Sequence, residues 1–585
     1  MKKIYLILLI IVACTSPKEV IKINLNDILD GYTAEYYARN PMAATANGIN
    51  DYNDQLPINI TEEAYKSNIA FCKKYLDTLS TIDVSLLSES EKLTFDILKY
   101  RLETEIASNV GGLGLYRPVD QFVFSFPTSF ATLASGAGYI PFKTEKDYRD
   151  FISRMNAFPT WIDQAITNMQ KGLELNNTNP KAAMLKVPAQ LKPLFEAPIE
   201  THVFSKPLGQ LPADLDSSSA AQLKRDYQLV IEQKIKPAYK KLHDFIVETY
   251  IPNTRESTGL LDISGGAVEY ALWLKYYTTT DITADSIFNL GLSEVARIRK
   301  EMDSLKLSVG FKGDLKSFFQ HVKTDPKFSP FETEEEVLDK YRSFESFMTP
   351  QLDRLFNLRP KASFEVRATE KFREAGANAQ YMRPSRDGTR PGIFYETVRD
   401  PKAYNYIDME SLFLHEAIPG HHYQLAIQQE ADIPEFRKSY GNSAFGEGWA
   451  LYAESLGKEL GMYTDPYQYL GRLNNEMERA VRLVVDAGMH AKGWTRERAI
   501  AYVLNNQPVT EFVAEQRIER YMVTPGQAVS YKVGEKKIIA LRDNAKAILG
   551  PKFNIQAFHD EVLKDGSLPL VILEAKIDRW ITNKK

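Results

Sequence analysis

The sequence predicts a mainly helical protein with a small antiparallel or mixed β-sheet beside a metal-binding helix. Polar capping pairs recur directly ahead of amphipathic runs, at Ser88 with Glu91 and at Thr333 with Glu336, and such pairs mark helix starts. By contrast, residues 363–398 alternate in polarity, are rich in β-branched and aromatic side chains, and contain turn residues. A histidine cluster follows these strands, and its residue types point to a metal site on the next helix.

The first 24 residues are predicted to be a targeting segment that lies outside the fold. Two lysines precede the apolar stretch Ile4–Ala13, which is too short to span a bilayer and has the length of a signal-peptide core. The small residue before Cys14 makes the sequence IVAC resemble a lipobox, so we expect residues 1–13 to be a lipoprotein signal peptide. An ordinary signal peptide with an incidental cysteine is the alternative.

Cys14 is the expected site of lipid attachment, and residues 14–24 would then form a tether to the membrane. Several lipid chains on one residue anchor a protein stably, whereas a single chain is marginal. Thr15, rather than an aspartate, follows the cysteine, and this favours outer-membrane sorting if the host is Gram-negative. We therefore expect a lipid-anchored protein of the cell envelope that faces the periplasm or the exterior.

The composition describes a globular body behind that anchor and argues against nucleic acid as a partner. Hydrophobic residues make up 44% of the 585 residues, and the mean hydropathy is −0.32, as in soluble domains. A net charge of −4 leaves no basic footprint for a nucleic acid. With Cys14 lipidated, Cys72 is the only other cysteine, so no intrachain disulfide is expected.

The domain organisation is predicted to be one continuous body with two lobes. The clearest break is the stretch 206–220, which is rich in Pro, Asp and Ser, and no internal repeat separates independent units. We therefore expect an N-terminal helical lobe over 25–210 and a catalytic lobe over 211–585. A long helix over 219–250 contains Pro237, which should kink it.

The sheet is expected to contain two to four strands within residues 363–398. A strand at the edge of such a sheet can hold an extended peptide by backbone pairing. Gly392–Val398 is the best candidate for that edge strand, although a purely structural hairpin fits the sequence nearly as well.

Three of the eight histidines, His415, His421 and His422, fall within eight positions, and Glu416 directly follows the first of them. The usual zincin motif, H-E-x-x-H, places two histidines on one face of a helix. Here His415 and His421 would be about 120° out of register on a regular helix, and His422 would lie about 10.5 Å further along the axis. Neither pair could then bind one zinc ion, because Zn–N bonds are only about 2.0–2.1 Å long.

Pro419 and Gly420 offer a way to bring two of the histidines together. Proline gives no N–H to the carbonyl of His415, and its ring clashes there, so the helix must open. If the helix resumes at Gly420, His415 and His421 converge again, and we expect His421 rather than His422 to be the second ligand. A kinked core helix with polar residues on a solvent face is the alternative.

A third ligand is expected from the run GEGWALYAESLGKEL, which is predicted to be a helix ended by Gly461. The candidates for this third ligand are Glu447 and Glu454, which lie one heptad apart. Two imidazoles and one carboxylate leave a position open for water, as in catalytic zinc sites, whereas structural sites fill all four positions with protein ligands. Glu410 is a further carboxylate on the metal helix, and a solvated helix face is its favoured interpretation.

The motifs HEAIPGHHYQ, FGEGWALYAE, DAGMHAKGW and SYKVGEKKI resemble those of an uncharacterised bacterial family, domain of unknown function 885, over residues 25–575. That family is similar to the gluzincin branch of the zinc metallopeptidases, and many of its members are lipoproteins. The resemblance implies a zincin-like core in which His415, His421 and Glu447 hold Zn²⁺. Glu447 is preferred because it matches the EGW position of the family and because flanking glycines allow a close backbone approach. Glu454 could then orient a ligand histidine.

Glu416 is the expected general base, because beside the first ligand it can accept a proton from the activated water and pass it to a leaving amine. Peptide hydrolysis also needs a donor for the oxyanion that forms on the scissile carbonyl, and His490 and Tyr531 are the candidates. Tyr531 follows the turn TPGQ, and the resemblance places the SYK motif there. A histidine near a helix C-terminus is an equally good interpretation of His490.

Four arginines downstream of the site have two possible roles. Arg517 and Arg520, and likewise Arg479 and Arg482, carry the guanidinium fork that binds a substrate carboxylate, as a carboxypeptidase or dipeptidase requires. Pairing with neighbouring glutamates on their own helix is the favoured interpretation.

The predicted function is zinc-dependent hydrolysis of peptide bonds in the cell envelope by an oligopeptidase, a carboxypeptidase or a dipeptidase. One alternative is a metal-containing binding or scaffold lipoprotein without turnover, although the intact Glu416 argues against it. Another is a zinc hydrolase of a non-peptide amide or ester, because the same Lewis-acid site serves both reactions.

Overall fold

The computed structural model describes residues 24–122, 125–136, 138–369, 378–385, 388 and 390–585. The predicted signal peptide, the lipidation site Cys14 and nearly all of the predicted tether lie outside these residues. Within the described ranges, none of the helices combines the length and the apolarity needed to cross a bilayer. The fold is mainly helical with one three-stranded sheet, which confirms the predicted fold class at this level.

Sixteen of the α-helices in the described ranges precede the sheet: α1 Leu25–Arg39, α2 Pro41–Ala46, α3 Glu62–Leu79, α4 Glu89–Val110, α5 Phe126–Ala134, α6 Glu145–Glu174, α7 Lys181–Met184, α8 Val187–Leu191, α9 Pro193–Glu196, α10 Ser217–Val230, α11 Lys236–Phe245, α12 Ile251–Asn253, α13 Gly266–Thr278, α14 Ala284–Ser308, α15 Leu315–Thr324 and α16 Glu334–Met348. The strands are β1 Phe364–Ala368, β2 Gln380–Met382 and β3 Gly392–Glu396. After them come α17 Met409–Glu416, α18 His421–Glu430, α19 Glu435–Ser439, α20 Ser443–Ser455, α21 Pro466–Lys492, α22 Arg496–Asn506, α23 Glu511–Val523, α24 Ser530–Leu549, α25 Ile555–Leu563 and α26 Leu570–Lys584.

Both predicted capping boxes are confirmed. The Ser88 hydroxyl accepts the Glu91 N–H at 3.3 Å, and the Glu91 carboxylate accepts the Ser88 N–H at 2.8 Å. Thr333 and Glu336 make the same reciprocal pair at the start of α16. Each pair satisfies N–H groups that the first turn of a helix leaves without a partner.

The long helix predicted around Pro237 is observed as a continuous helical run over residues 217–253. Wider π-type turns occur within it at Ile231–Ile235 and at Ile246–Tyr250. The first of these turns ends two residues before the proline, which lacks the N–H that a regular α-helix would require there. The run therefore accommodates proline through a change of helical pitch.

The helix predicted after Glu447 ends earlier than expected. It is α20, which ends at Ser455 and is followed by turns. Gly461, with φ of 84°, closes those turns rather than the helix itself. The glycine signal was correct for a left-handed backbone position but was assigned to the wrong element.

Three hydrophobic clusters form the core of the described residues, and none of them separates at residue 210. The first joins the N-terminal helices α1, α3 and α4 to the sheet and to the C-terminal helices. The second joins α5 and α6 to the run 217–253, and the third joins α14 and α15 to α21–α23. Tyr148 in α6 donates its hydroxyl proton to the carbonyls of Pro207 and Gln210. The stretch 206–220 therefore connects parts of one core, and the predicted lobe boundary at 210/211 does not coincide with a boundary between cores.

The sheet has the order β1-β3-β2, with β3 parallel to β1 and antiparallel to β2. The edge role predicted for Gly392–Val398 is therefore wrong, because both sides of β3 are already paired and all five of its residues are buried. The outer strands are β1 and β2. Tyr381 in β2 contacts His422 in α18, so the sheet does lie beside the helices α17 and α18, which carry the histidine cluster.

Candidate metal centre

The helix predicted to open at Pro419 is interrupted there. α17 ends three residues before this proline, and the next helix begins at His421. Gly420 passes so close to the preceding turn that an added Cβ would stand 1.9 Å from the carbonyl oxygen of His415. Trp449 in α20 donates its indole N–H to the carbonyl of Pro419 at 2.8 Å, which satisfies a backbone group that the break leaves free. A glycine is therefore required at this bend by space alone.

His415, His421 and Glu447 come together at the interruption. Nε2 of His415 and Nε2 of His421 each lie 3.5 Å from the same carboxylate oxygen of Glu447. One ligand atom from each residue lies within 4.8 Å of the other two. Two ligands of a tetrahedral zinc ion with bonds of about 2.0–2.1 Å stand about 3.3 Å apart. The observed spacings fit one such ion, and the Glu447 side chain is 24% exposed, so solvent reaches this group.

Glu454 orients His415 from the side opposite Glu447. The carboxylate of Glu454 lies 2.8 Å from Nδ1 of His415, and its other oxygen accepts the hydroxyl proton of Ser411 at 2.6 Å. All three residues are buried. Such a carboxylate–histidine pair fixes the ring and leaves Nε2 free to act as a ligand. The contact predicted for Glu454 is thus present, and Glu447 faces the other nitrogen.

The charges in the cluster favour an ionised carboxylate. Burial alone would raise the pKa of Glu447, but His415 and His421 hold it well below its usual range. Burial likewise would lower the pKa of His415, but Glu447 and Glu454 outweigh this effect and raise it to about 9. A metal ligand of this type must be a carboxylate rather than a carboxylic acid, and Glu447 meets that condition at neutral pH.

His422 faces the sheet instead of the cluster. Its Nδ1 lies 2.8 Å from the hydroxyl of Tyr381, and its ring packs against Phe364 with the ring centroids 4.7 Å apart. Burial lowers its pKa to about 4. Because neighbouring residues on a helix point about 100° apart, only His421 of this pair turns toward Glu447.

α20 packs against α24 at a very short distance, and glycines make this possible. An added Cβ at Gly448 would stand 2.5 Å from the backbone of Gly534, and one at Gly534 would stand 1.9 Å from the carbonyl oxygen of Ala444. Gly446 faces open space. Of the two glycines that flank Glu447, only Gly448 makes the predicted close approach. It approaches α24 rather than the helices α17 and α18 that carry the histidines.

Glu416, the predicted general base, is the last residue of α17 and is 7% exposed. Its carboxylate accepts no hydrogen bond from the described part of the chain, and its charge contributes to the raised pKa of His415. A carboxylate beside the cluster without an internal partner can bind a water molecule there. Glu410, on the same helix, is different: it accepts the N–H of Tyr463 at 2.5 Å, so the interpretation as a solvated face is wrong.

Tyr531, the second residue of α24, lies close to Glu447. The hydroxyl of its neighbour Ser530 is 2.7 Å from that of Ser443, the first residue of the helix that carries Glu447. Burial and then the charge of Glu447 raise the pKa of Tyr531, so its phenol stays protonated. Its hydroxyl has no hydrogen-bond partner within the described ranges. The position and the free O–H are compatible with the predicted donor role.

His490 does not have the features of an oxyanion donor, which corrects the prediction. It is fully buried, and its Nδ1 accepts the N–H of Leu260 at 3.2 Å. Its Nε2 lies 2.8 Å from the carbonyl oxygen of Tyr521 and donates to it. Both ring nitrogens are therefore used by the backbone, and none remains for a substrate. The histidine joins the loop before α13 to the end of α23.

Replacing His490 with glutamine should leave hydrolysis unchanged and make the protein less sensitive to acid. Burial lowers the pKa of His490 to about 3, so below the ordinary histidine pKa of about 6.5 the unfolded chain binds a proton that the folded chain does not. This group therefore stabilises the fold fully above about pH 6.5, and its contribution falls by about 1.4 kcal/mol per pH unit as the pH decreases toward 3. Glutamine offers one acceptor and one donor but does not titrate.

The measurement is the free energy of unfolding from pH 4 to pH 7 for both proteins, with peptide hydrolysis at pH 7. We expect a shallower slope for the variant at low pH. A 100-fold loss of activity in a fully folded variant, with an unchanged slope, would instead restore the catalytic role of His490.

The favoured pairing of the four arginines is observed only in part. Arg482 and Arg517 both bind Glu478, the latter at 2.8 Å. Glu515 and Glu519 bind Arg496 instead. Arg479 and Arg520 make no ion pair with any described carboxylate.

Supporting residues around the cluster were not singled out from the sequence. Ser411 lies one turn before His415 on the same helix face, a spacing that could have indicated its role. Asn475 in α21 donates to the Ser411 hydroxyl at 3.2 Å, and Trp449 holds the helix break. No local signal marks these two residues, because their partners are distant in sequence.

The chain matches one protein family and resembles solved structures of two other proteins. A family model described as "Bacterial protein of unknown function (DUF885)" matches residues 41–577. The structure of a candidate lipoprotein from Colwellia psychrerythraea has a TM-score of 0.87 at 28% identity, covering 96% of this chain and 99% of that chain. A candidate lipoprotein of unknown function from Shewanella oneidensis has a TM-score of 0.74 at 19% identity, covering 94% and 99%, and shows the fold alone. No curated protein matches the chain.

Proposed function

The chain belongs to the DUF885 family of bacterial proteins, and we propose that it is a zinc-dependent hydrolase of peptide bonds with a gluzincin-like core. The proposal is carried by one observation: His415, His421 and Glu447 present three ligand atoms at the spacing of a zinc site. The adjacent Glu416 carboxylate has no hydrogen-bond partner among the described residues, and a purely structural metal site would not need it.

The donor set fits zinc, which commonly takes imidazole and carboxylate ligands in this ratio at catalytic sites. When bound, the ion lowers the pKa of a water molecule to about 7 and polarises a carbonyl group. Glu416 accepts the proton of the attacking water and transfers it to the leaving amine. The Tyr531 hydroxyl donates to the carbonyl oxygen as negative charge develops on it. Glu454 keeps the ring of His415 in place throughout.

We further propose that a lipid on Cys14 holds this body at the outer membrane. The lipobox-like sequence before Cys14 supports this location, and both related structures come from candidate lipoproteins. Replacing Cys14 with serine should move the protein from the membrane fraction to the soluble fraction of the envelope. Unchanged membrane fractionation of that variant would contradict the anchor.

The hydrolase proposal is tested on protein that lacks residues 1–14. It should contain about one zinc ion per chain, and a chelator should lower its Tm, because an ion that binds only the folded state stabilises it. Digestion of a peptide library should yield products that disappear after chelation. Zinc-loaded protein that cuts neither library peptides nor dipeptides would contradict hydrolysis and favour a binding role.

The adjacent histidines provide a matched pair for the metal site. His421→Ala should lose zinc on dialysis and lose hydrolysis, because it removes one of three ligands. His422→Ala should keep zinc, because His422 contacts Tyr381 rather than Glu447. Loss of the buried hydrogen bond in His422→Ala should lower the free energy of unfolding by about 1–3 kcal/mol. Zinc content by atomic spectroscopy and urea unfolding give both results. Zinc loss in the His422 variant alone would reverse the ligand assignment.

A further inference from the structure

Positive charge accumulates beside the metal cluster on two helices. Arg479 and Arg482 lie one turn apart on α21, and Arg517 and Arg520 lie one turn apart on α23. We call these four residues the arginine cluster. The only carboxylate paired with it in the described ranges is Glu478, which binds Arg482 and Arg517. Two of the four guanidinium groups therefore share one carboxylate, and the other two form no ion pair in the described ranges.

Within the described ranges, two members of the arginine cluster make hydrogen bonds to neutral groups only and form no ion pair. Arg479 donates to the carbonyl and amide oxygens of Asn475, at 3.2 and 3.4 Å. Arg520 donates to the amide oxygen of Gln527 at 2.9 Å. In addition, the Nε groups of Arg479 and Arg482 are buried without an acceptor among the described residues. Buried N–H donors without an acceptor, on guanidinium groups of which two form no ion pair in the described ranges, favour a bound anion.

The arginine cluster is connected to the metal cluster by direct contacts. The guanidinium of Arg482 lies over the ring of Tyr531, 4.7 Å from its centroid. Arg479 donates to the amide oxygen of Asn475, and the amide N–H of Asn475 donates to the Ser411 hydroxyl. Ser411 in turn donates to Glu454, which contacts His415.

Tyr531 is near both groups, because Arg482 lies over its ring and its neighbour Ser530 contacts Ser443 at the start of the helix that carries Glu447. Burial and then the negative charge of Glu447 raise its pKa, and the positive charges of Arg482, Arg520 and Arg479 lower it. An anion held by the arginines would thus lie next to the hydroxyl that faces the scissile carbonyl.

We propose that the arginine cluster binds a carboxylate of the peptide substrate, and that this is the C-terminal α-carboxylate. The inference rests on the proposed hydrolase function and makes the protein a carboxypeptidase or dipeptidase, which cuts near the free C-terminus. Arginine matches a carboxylate with two parallel N–H donors, so it recognises the group by geometry as well as by charge. An acidic side chain offers the same group, and the experiment below separates the two sources.

The structure also provides room for the rest of a short peptide. A cavity of about 320 Å³ reaches Ser443, at the start of α20, and is lined by Tyr276, Tyr277, Tyr440 and Asn442 among others. It shares the first two tyrosines with a neighbouring cavity of about 570 Å³. Burial raises the pKa of Tyr277 and the charge of Arg520 partly offsets this, so Arg520 is within electrostatic range of one tyrosine that lines both cavities. Tyrosine and asparagine side chains can hold a peptide without demanding one sequence.

The first experiment measures binding without turnover, on zinc-loaded Glu416→Gln protein. Calorimetry compares Ala-Ala-Ala with a free carboxyl group, its C-terminal amide, and Ala-Ala-Glu amide. We expect the free acid to bind at least 30-fold more tightly than Ala-Ala-Ala amide. Equal affinities for acid and amide would overturn the inference. Ala-Ala-Glu amide that binds as tightly as the free acid would overturn the α-carboxylate assignment and identify an acidic side chain as the ligand.

Variants then assign the effect to residues. Arg479→Gln and Arg520→Gln should each weaken binding of the free acid at least 10-fold and leave binding of the amide unchanged. Arg225→Gln, which removes an exposed positive charge on α10, is the matched control and should change neither. Arg520→Lys keeps the charge without the fork and should recover only part of the affinity. Free-acid affinity that is unchanged in both glutamine variants, with zinc content and Tm preserved, would overturn the role of the cluster.

Turnover separates this inference from the hydrolase proposal. Wild-type protein that hydrolyses free-acid and amidated peptides at equal kcat/KM contradicts carboxylate recognition and leaves the hydrolase intact. Protein that cleaves neither peptide, but binds the free acid preferentially through Arg479 and Arg520, contradicts the hydrolase and leaves the carboxylate site intact.

Discussion

Replacing Glu416 with glutamine should lower kcat for peptide hydrolysis about 10³-fold while zinc content stays at one ion per chain. A positioned general base contributes about 10²–10⁴-fold to such a reaction. Glutamine has nearly the same size but cannot take the proton of the attacking water. Because the Glu416 carboxylate accepts no hydrogen bond from the described residues, the substitution breaks no hydrogen bond there. Tm should therefore stay within about 2 °C, the change expected for less than 1 kcal/mol.

The matched control is Glu410→Gln on the same helix. Glu410 accepts the N–H of Tyr463, and the amide oxygen of glutamine can accept it as well. This variant should keep its rate within about two-fold, since it changes charge on α17 without touching the proton path. The comparison uses saturating peptide and zinc determination on the same samples. A Glu416→Gln enzyme that retains the wild-type kcat would remove Glu416 from the mechanism.

The parts of the site that depend on nearby residues could be predicted from the sequence. The interruption of the metal helix follows from Pro419 and Gly420, which act on the backbone one turn before them. The orienting contact of Glu454 was expected from its place one heptad after Glu447. The capping boxes and the existence of a sheet before the metal helix were likewise predicted from short-range patterns.

The features that were predicted wrongly depend on partners far away in the chain. His490 is held by Leu260 and by Tyr521, which lie 230 and 31 residues away, so the residues around it in the sequence could not show that both ring nitrogens are occupied. The alternation of β3 predicts a strand but not its neighbours, and the strand order made it central. Which surface a glycine approaches is also set by tertiary packing, as Gly448 and Gly534 show.

α24 is held firmly against α14 and α21. Lys532 is fully buried and forms ion pairs with Glu294 in α14 at 3.2 Å and with Glu476 in α21 at 2.6 Å. A buried charge that loses its partners is strongly destabilising, by about 3–5 kcal/mol, so α24 cannot easily separate from these helices. Any crowding at the contact between α20 and α24 must therefore displace α20, which carries Glu447.

Gly534→Ala should accordingly destabilise the protein by about 3 kcal/mol and weaken zinc binding at least 10-fold. Its Cβ would stand 1.9 Å from the carbonyl oxygen of Ala444, and overpacking of this kind costs about 1–3 kcal/mol or more. Since the clash is with backbone, a rotamer change cannot relieve it. The resulting shift of α20 would move Glu447 away from His415 and His421. Urea unfolding of the metal-free protein and a competitive zinc titration measure the two effects separately.

Gly446→Ala is the control for this prediction, because it makes the same chemical change one residue before Glu447. An added Cβ at Gly446 meets nothing within 4 Å, and alanine inside a helix is more stable than glycine by about 0.5–1 kcal/mol. This variant should therefore be as stable as the wild type or slightly more stable, with the same zinc affinity. If instead Gly534→Ala bound zinc normally despite its lower stability, the position of Glu447 would not depend on the contact between α20 and α24. In that case the broken helix and Trp449 alone would hold the ligands in place.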